Sequence, residues 1–121
     1  MAVAPVRVVP DGIEPVRAAI RAALDEGARL VLTTGGTGVT PTDRTPEATA
    51  DLIELDLPGL AEAIRRQSEV PAAALSRGRA GTVGSAVVVN APGSPGGVGD
   101  AVTVLTPLLG HLLDQLTGGD H

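Results

Sequence analysis

Short apolar runs alternate with stretches of helical periodicity along the chain. Residues 6–9 (VRVV) form an apolar run closed by Pro10-Asp11-Gly12, which predicts a strand end and a turn. A helix is expected from Glu14-Pro15, with Asp11 or Gly12 near its cap. Val16, Ile20, Ala23 and Leu24 share one of its faces, and Gly27 is its C′ residue. Residues 30–34 (LVLTT) predict a second strand, short and glycine-bounded as expected of an interior parallel strand. Helices are expected over 46–55, with Glu47 complementing the dipole at its start, and from Pro58 through Arg66. Residues 71–76 are ambiguous between strand and helix. Residues 85–90 (SAVVVN) read as a buried strand, and a helix over 98–116 contains Pro107 as a place to kink. Gly118-Gly119 ends it.

Two strands empty into glycine loops that open helices: Gly35-Gly36-Thr37-Gly38 after Thr34, and Pro92-Gly93-Ser94-Pro95-Gly96-Gly97 after Asn90. Such an alternation belongs to an α/β layer architecture. In an open α/β sheet, ligands bind beyond the carboxyl ends of the strands, so both loops are expected on one rim and in one pocket.

Composition narrows the chemistry. The 121 residues predict a single domain, 1–121, burying about 65% of the surface of the unfolded chain. No Phe, Tyr or Trp is present, so base stacking is unavailable, and a net charge of −5 also argues against nucleic acid as a partner. All nine basic residues are arginine, which excludes a P-loop lysine and a Schiff-base lysine. The absence of cysteine excludes disulfides and thiolate sites. No apolar run approaches ~18 residues and the N-terminus does not read as a signal peptide, so no membrane association and a cytoplasmic setting are expected.

Three glycines in four residues, flanked by threonines, exceed what a turn needs and suit backbone amides turned towards an anion. Asp43 reads equally as a cap near Thr45 or, since Thr45 can cap that helix itself, as a carboxylate free for chemistry. Asp11 is an ordinary turn residue locally, made interesting by following a strand onto the same rim. Ser94 lacks a histidine–acid pair, so it is expected to bind rather than attack. Arg77, in Ser76-Arg77-Gly78, is a solvated charge or an anion clamp. His111 and His121 have no ligand-type spacing.

TTGGTG, then Asp43 and Thr45-Pro46-Glu47-Ala48, resembles the signature of the molybdenum cofactor biosynthesis (molybdopterin-binding) domain family. LPGLAEAIR (57–65), ALSRG (74–78), VVNAPGSPGGV (88–98) and HLLDQLTGGDH (111–121) look like the same family in the same order. The resemblance implies a three-layer α/β/α fold with a mostly parallel sheet, and an activity of the molybdopterin adenylyltransferase type. Such proteins take molybdopterin and Mg-ATP, transfer AMP to the pterin's terminal phosphate and release pyrophosphate. It carries catalytic and Mg²⁺-binding roles onto Asp11 and Asp43. It carries pterin and nucleotide binding onto Thr34, Gly35, Gly36, Thr37 and Gly38, onto Ser76 and Arg77, and onto Pro92, Gly93, Ser94 and Pro95. It also implies a homotrimer.

Relatives open with a further strand, polar loop and helix of roughly 30 residues. The chain is expected to lack this unit, leaving an apolar gap or a re-paired sheet edge. Arg44 stands where an apolar residue is usual, and Ala91 where leucine is usual. Two other functions stay open: a non-catalytic molybdopterin-binding or assembly subunit, and a nucleotide-binding or hydrolysing domain built on the same loop.

Overall fold

The computed structural model describes residues 5–119; the expectations for the extreme N-terminus and for His121 lie outside them. Helices α1 (Ile13–Asp25), α2 (Thr45–Ala50), α3 (Pro58–Gln67), α4 (Gly97–Leu105) and α5 (Leu109–Leu116) surround strands β1 (Leu30–Thr34), β2 (Leu55–Asp56), β3 (Ala80–Val83) and β4 (Ala86–Ala91). A 3₁₀ turn, Pro71–Leu75, fills the stretch that was ambiguous in sequence.

The sheet order is β1-β4-β3-β2. β1 pairs parallel with β4 from Leu30↔Val87 to Thr34↔Ala91, while β3 is antiparallel to both β4 and β2. Three of the four strands therefore run one way and β3 opposes them. Alternation along β4 divides the core. Val87, Val89 and Ala91 pack with Ala61 and Ile64 of α3 and Ala101 and Leu105 of α4. Val88 packs on the other face with Val16 and Ile20 of α1, Ala48 of α2 and Leu52. This is the expected α/β/α layering.

Several expected elements change. Residues 5–10 form no strand: they have no backbone hydrogen-bond partner among the described residues, and Val6 and Val8 are 90% and 95% exposed. An apolar run becomes a strand only where a neighbour completes its ladder. β1, expected in the interior, is an edge strand among the described residues; its second edge is neither re-paired nor covered by a strand. The helix expected to reach residue 55 stops at Ala50, and the chain turns through 51–54 into β2. The helix expected over 98–116 is broken rather than kinked: α4 ends at Leu105, Pro107 lies in the turn, and α5 begins at Leu109. Gly12, not Asp11, is the N-cap of α1. Gly27 takes φ +95° after α1, with the amides of Gly27 and Ala28 bonded to the carbonyls of Leu24 and Ala23, the expected helix stop.

Ile20 is 2% exposed and holds α1 onto Val88 and Ala48. Truncation by Ile20→Ala should cost about 2–5 kcal/mol, read as a lowered urea midpoint with an unchanged denaturant slope.

Candidate functional site

The two glycine loops meet at the carboxyl ends of β1 and β4. The amide of Gly35 donates to the carbonyl of Ala91 (3.3 Å), and the Thr34 hydroxyl donates to the carbonyl of Pro92 (3.3 Å). A side chain on Gly93 would sit 3.0 Å from the Gly35 Cα, so backbone packs directly on backbone there. Gly35 and Gly36 take φ +88° and +68°, a conformation open to glycine. A side chain on Gly36 would also collide with the Thr45 hydroxyl. Gly93, Ser94, Pro95 and Gly96 remain exposed, and the Ser94 carbonyl accepts from the Gly97 amide (2.9 Å) to close the turn into α4. The shared rim expected of these loops is thus formed.

Arg77 lies beneath the first loop and is taken up by it. Its amide donates to the Thr37 carbonyl and its Nε to the Gly38 carbonyl, each at 2.7 Å. Its Nη2 reaches the Asp43 carbonyl (2.7 Å), and its two terminal nitrogens fork onto Glu47 at 2.7 and 3.3 Å. The preceding Ser76 hydroxyl donates to the hydroxyl of buried Thr37 (3.2 Å). Of the two readings of Arg77, neither describes this geometry: the guanidinium straps the loop to α2. Hydrogen bonding from Arg77 holds the Glu47 carboxyl below its usual range, and the same bond raises Arg77.

Asp43 caps no helix. Its Oδ2 accepts from the Thr40 hydroxyl (2.7 Å) and the Thr40 amide (3.0 Å), while its own amide donates to the Thr40 carbonyl. Those bonds from Thr40, with the charge of Arg77 behind them, hold the carboxyl below the ordinary aspartate value. Its Oδ1 has no hydrogen-bond partner among the described residues. Thr45, expected as a possible cap, is instead the first residue of α2, with its amide on the Gly36 carbonyl (3.1 Å).

Asp11 is exposed and its carboxylate has no hydrogen-bond partner among the described residues. A tight turn joins α1 to β1, and Asp11 immediately precedes α1. No contact links Asp11 to either loop. Among the described residues no three His, Cys, Asp or Glu side chains gather as a metal cluster, and His111 meets only Gln115. Two open grooves, of about 420 and 310 Å³, lie away from the loops against α3.

Sequence reasoning missed Asn90. It is 4% exposed, its side-chain amide donates to the hydroxyls of Thr33 (2.9 Å) and Thr49 (3.0 Å), and its Oδ1 accepts from the Arg79 amide (3.0 Å). A polar residue following three valines in a buried strand was the available signal. Glu47 was read only for its place in the helix dipole, and the Thr40-x-x-Asp43 spacing was not used.

Residues 1–111 match the family described as a probable molybdopterin binding domain. The chain is 44% identical over 108 residues to the molybdenum cofactor biosynthesis bifunctional protein of Synechococcus elongatus, covering 88% of this chain and 34% of that one. It is 38% identical over 91 residues to the molybdopterin adenylyltransferase of Helicobacter pylori, covering 74% of this chain and 52% of that one. The first curated relatives it matches are spanned over only 19–39% of their length. The solved molybdopterin biosynthesis Mog protein of Mycobacterium ulcerans superposes with a TM-score of 0.87 at 47% identity, over 93% of this chain and 74% of that one. With the family match running over residues 1–111 and a solved relative superposing over 93% of the chain, the chain belongs to the probable molybdopterin binding domain family of molybdenum cofactor biosynthesis.

Proposed function

We propose that residues 1–121 form one molybdopterin-binding domain that adenylylates molybdopterin. An oxygen of the pterin's terminal phosphate attacks the α-phosphorus of ATP; the new P–O bond forms as the bond to the β-phosphate bridging oxygen breaks, and pyrophosphate leaves. The observation that carries this reading is the free Oδ1 of Asp43, fixed by Thr40 at the mouth of two touching glycine loops. The name borne by the Helicobacter pylori relative supports it.

The protein's part is positioning and charge placement, which is most of what phosphoryl chemistry asks. Exposed amides and the open Gly93–Gly96 turn receive phosphates or the pterin, in the manner of backbone anion sites. Asp43, through its open Oδ1, would hold Mg²⁺ with Asp11 as the second carboxylate, since this ion takes one or two carboxylates and completes its shell with water and substrate phosphates. When bound, Mg²⁺ neutralises charge on the transferring phosphate. Arg77 is a positioning residue in this scheme, acting through the loop. A homotrimer in the cytoplasm remains part of the proposal.

A second reading, a molybdopterin-binding subunit without catalysis, draws on the outer edge of β1, the strand that carries the first loop, which pairs with no strand among the described residues. The two separate on pyrophosphate release from ATP and Mg²⁺ with and without molybdopterin. The adenylyltransferase reading requires release only with pterin; pterin binding without release favours the second. ATP turnover without pterin overturns both.

Asp43→Asn keeps an acceptor for Thr40 and removes the charge. Pterin-dependent pyrophosphate release should fall by about 100-fold or more while pterin affinity stays near wild type; full activity in the variant would remove Asp43 from the reaction.

The strap also has a pH signature. Glu47 has a folded-state pKa below its unfolded value, so its contribution to stability is complete above the usual glutamate range, ~4.3, and disappears as pH falls through the lowered value. Urea titrations of wild type and Glu47→Gln should therefore differ by a constant amount from neutral pH down to that range. Below it the two should converge, whereas a gap unchanged at pH 3 would deny the ion pair its role.

A further inference from the structure

Four arginines lie around the two loops, and they differ in what opposes their charge. Arg77 forks onto Glu47, Arg79 pairs with Asp56 at 2.7 Å, and Arg44 approaches Glu47 at 4.0 Å. Arg65 faces no carboxylate among the described residues. It stands in the last turn of α3, half-buried, and its Nη1 donates to the Gly78 carbonyl at 3.0 Å. That single bond fixes the head of the side chain. Its other N–H donors, of the five a guanidinium carries, have no partner among the described residues.

The anchor ties Arg65 to the rim. Gly78 belongs to the turn whose Ser76 hydroxyl accepts from the Gly78 amide (3.3 Å) and donates to Thr37 of the first glycine loop. A side chain on Gly78 would come within 2.9 Å of the Asn90 carbonyl, at the end of the strand that feeds the second loop. Arg65 is thus bound to the segment lying between both loops, and its planar fork is suited to a phosphate. The rim otherwise carries Asp43 and Glu47, and the chain has no lysine to offset them.

We propose that Arg65 receives a phosphate of the ligand at this rim, the role that the Ser76-Arg77-Gly78 motif offers to Arg77 when read from sequence. The proposal rests on the reading of the rim as a phosphate-handling pocket. The phosphate belongs to the nucleotide or to the pterin, and the two are separable by experiment.

The test is titration calorimetry of the whole chain with Mg-ATP and, separately, with molybdopterin, for wild type, Arg65→Gln and Arg65→Lys. Thermal unfolding of each variant checks that it is folded. Loss of one charged hydrogen-bonding group predicts about 10- to 100-fold weaker binding of one ligand in the Gln variant. Lys, which keeps the charge and loses the fork, should fall between. Loss confined to Mg-ATP assigns the nucleotide phosphate, and loss confined to molybdopterin assigns the pterin phosphate; either supports Arg65. Should Gln fail to fold, Lys carries the test alone, with weakened affinity for one ligand expected and wild-type affinity for both overturning the assignment. Unchanged affinity for both ligands in folded Arg65→Gln overturns it too, as does Lys binding no better than Gln. Wild-type protein that binds neither ligand instead overturns the underlying reading of the rim, and this inference with it.

Discussion

Everything at the rim depends on one guanidinium. A loop that enters with two residues at positive φ has little of its own to keep it in shape, because glycine adopts many conformations at similar cost. Arg77 removes that freedom from below. It is bonded to the carbonyl at one end of the loop, Gly38, to the carbonyl at the other, Asp43, and to the carboxylate of Glu47 one turn into α2. Three points so spaced fix a plane, and Asp43 projects from it with Oδ2 closed down onto Thr40 and Oδ1 open. The carboxylate is therefore placed by the hydroxyl and amide of Thr40 and not by its own rotamer preference. A lysine at position 77 would supply charge without the fork that reaches all three points.

The layer beneath is held by a different device. Asn90 closes an otherwise aliphatic strand and spends both ends of its amide on neighbours from separate elements: Thr33 of β1, Thr49 of α2, and the backbone before β3. A buried amide left unpaired is expensive, so satisfying it specifies register more sharply than another valine would. Asn90 stands at the end of β4 where the parallel ladder to β1 and the antiparallel ladder to β3 both reach the rim. Local slippage of either ladder would break one of its bonds. Packing in the two cores sets the layers, and this network sets their alignment at the end that matters.

What could be read from sequence followed the range of the interaction. β1, β4, α1 and the two loops were legible because apolar runs, helical spacing and glycines act within a few residues. β3 was not: Ala80–Val83 is small and weakly apolar, and becomes a strand because Gly84-Ser85, a two-residue hairpin signal that went unused, folds it back on β4. The converse error fell on residues 6–9, whose valines have strand propensity and no partner. Asp43 stood between capping and chemistry because Thr45 beside it could cap the helix itself; the bonds from Thr40 that hold it in the structure were not part of that reading. Arg77 was undecidable locally, since its partners lie 30–39 residues away. Side chains of that length show their charge in sequence and not their destination.

That distinction bears on how an acidic chain would handle phosphate. Nine arginines against fourteen acids leave few cations uncommitted, and most of the guanidiniums in the fold are consumed by carboxylates or carbonyls. Backbone amides are therefore the natural anion donors: they carry no counter-charge to be stolen, and the glycines allow a ligand to approach them closely. Their partial charges are weak singly, so selectivity for a phosphate over a neutral group needs at least one full positive charge that the protein has not already neutralised. Of the arginines bordering the loops, three are opposed by acids and one is not, among the described residues. The same acidic excess makes that one exception the place where electrostatics would discriminate.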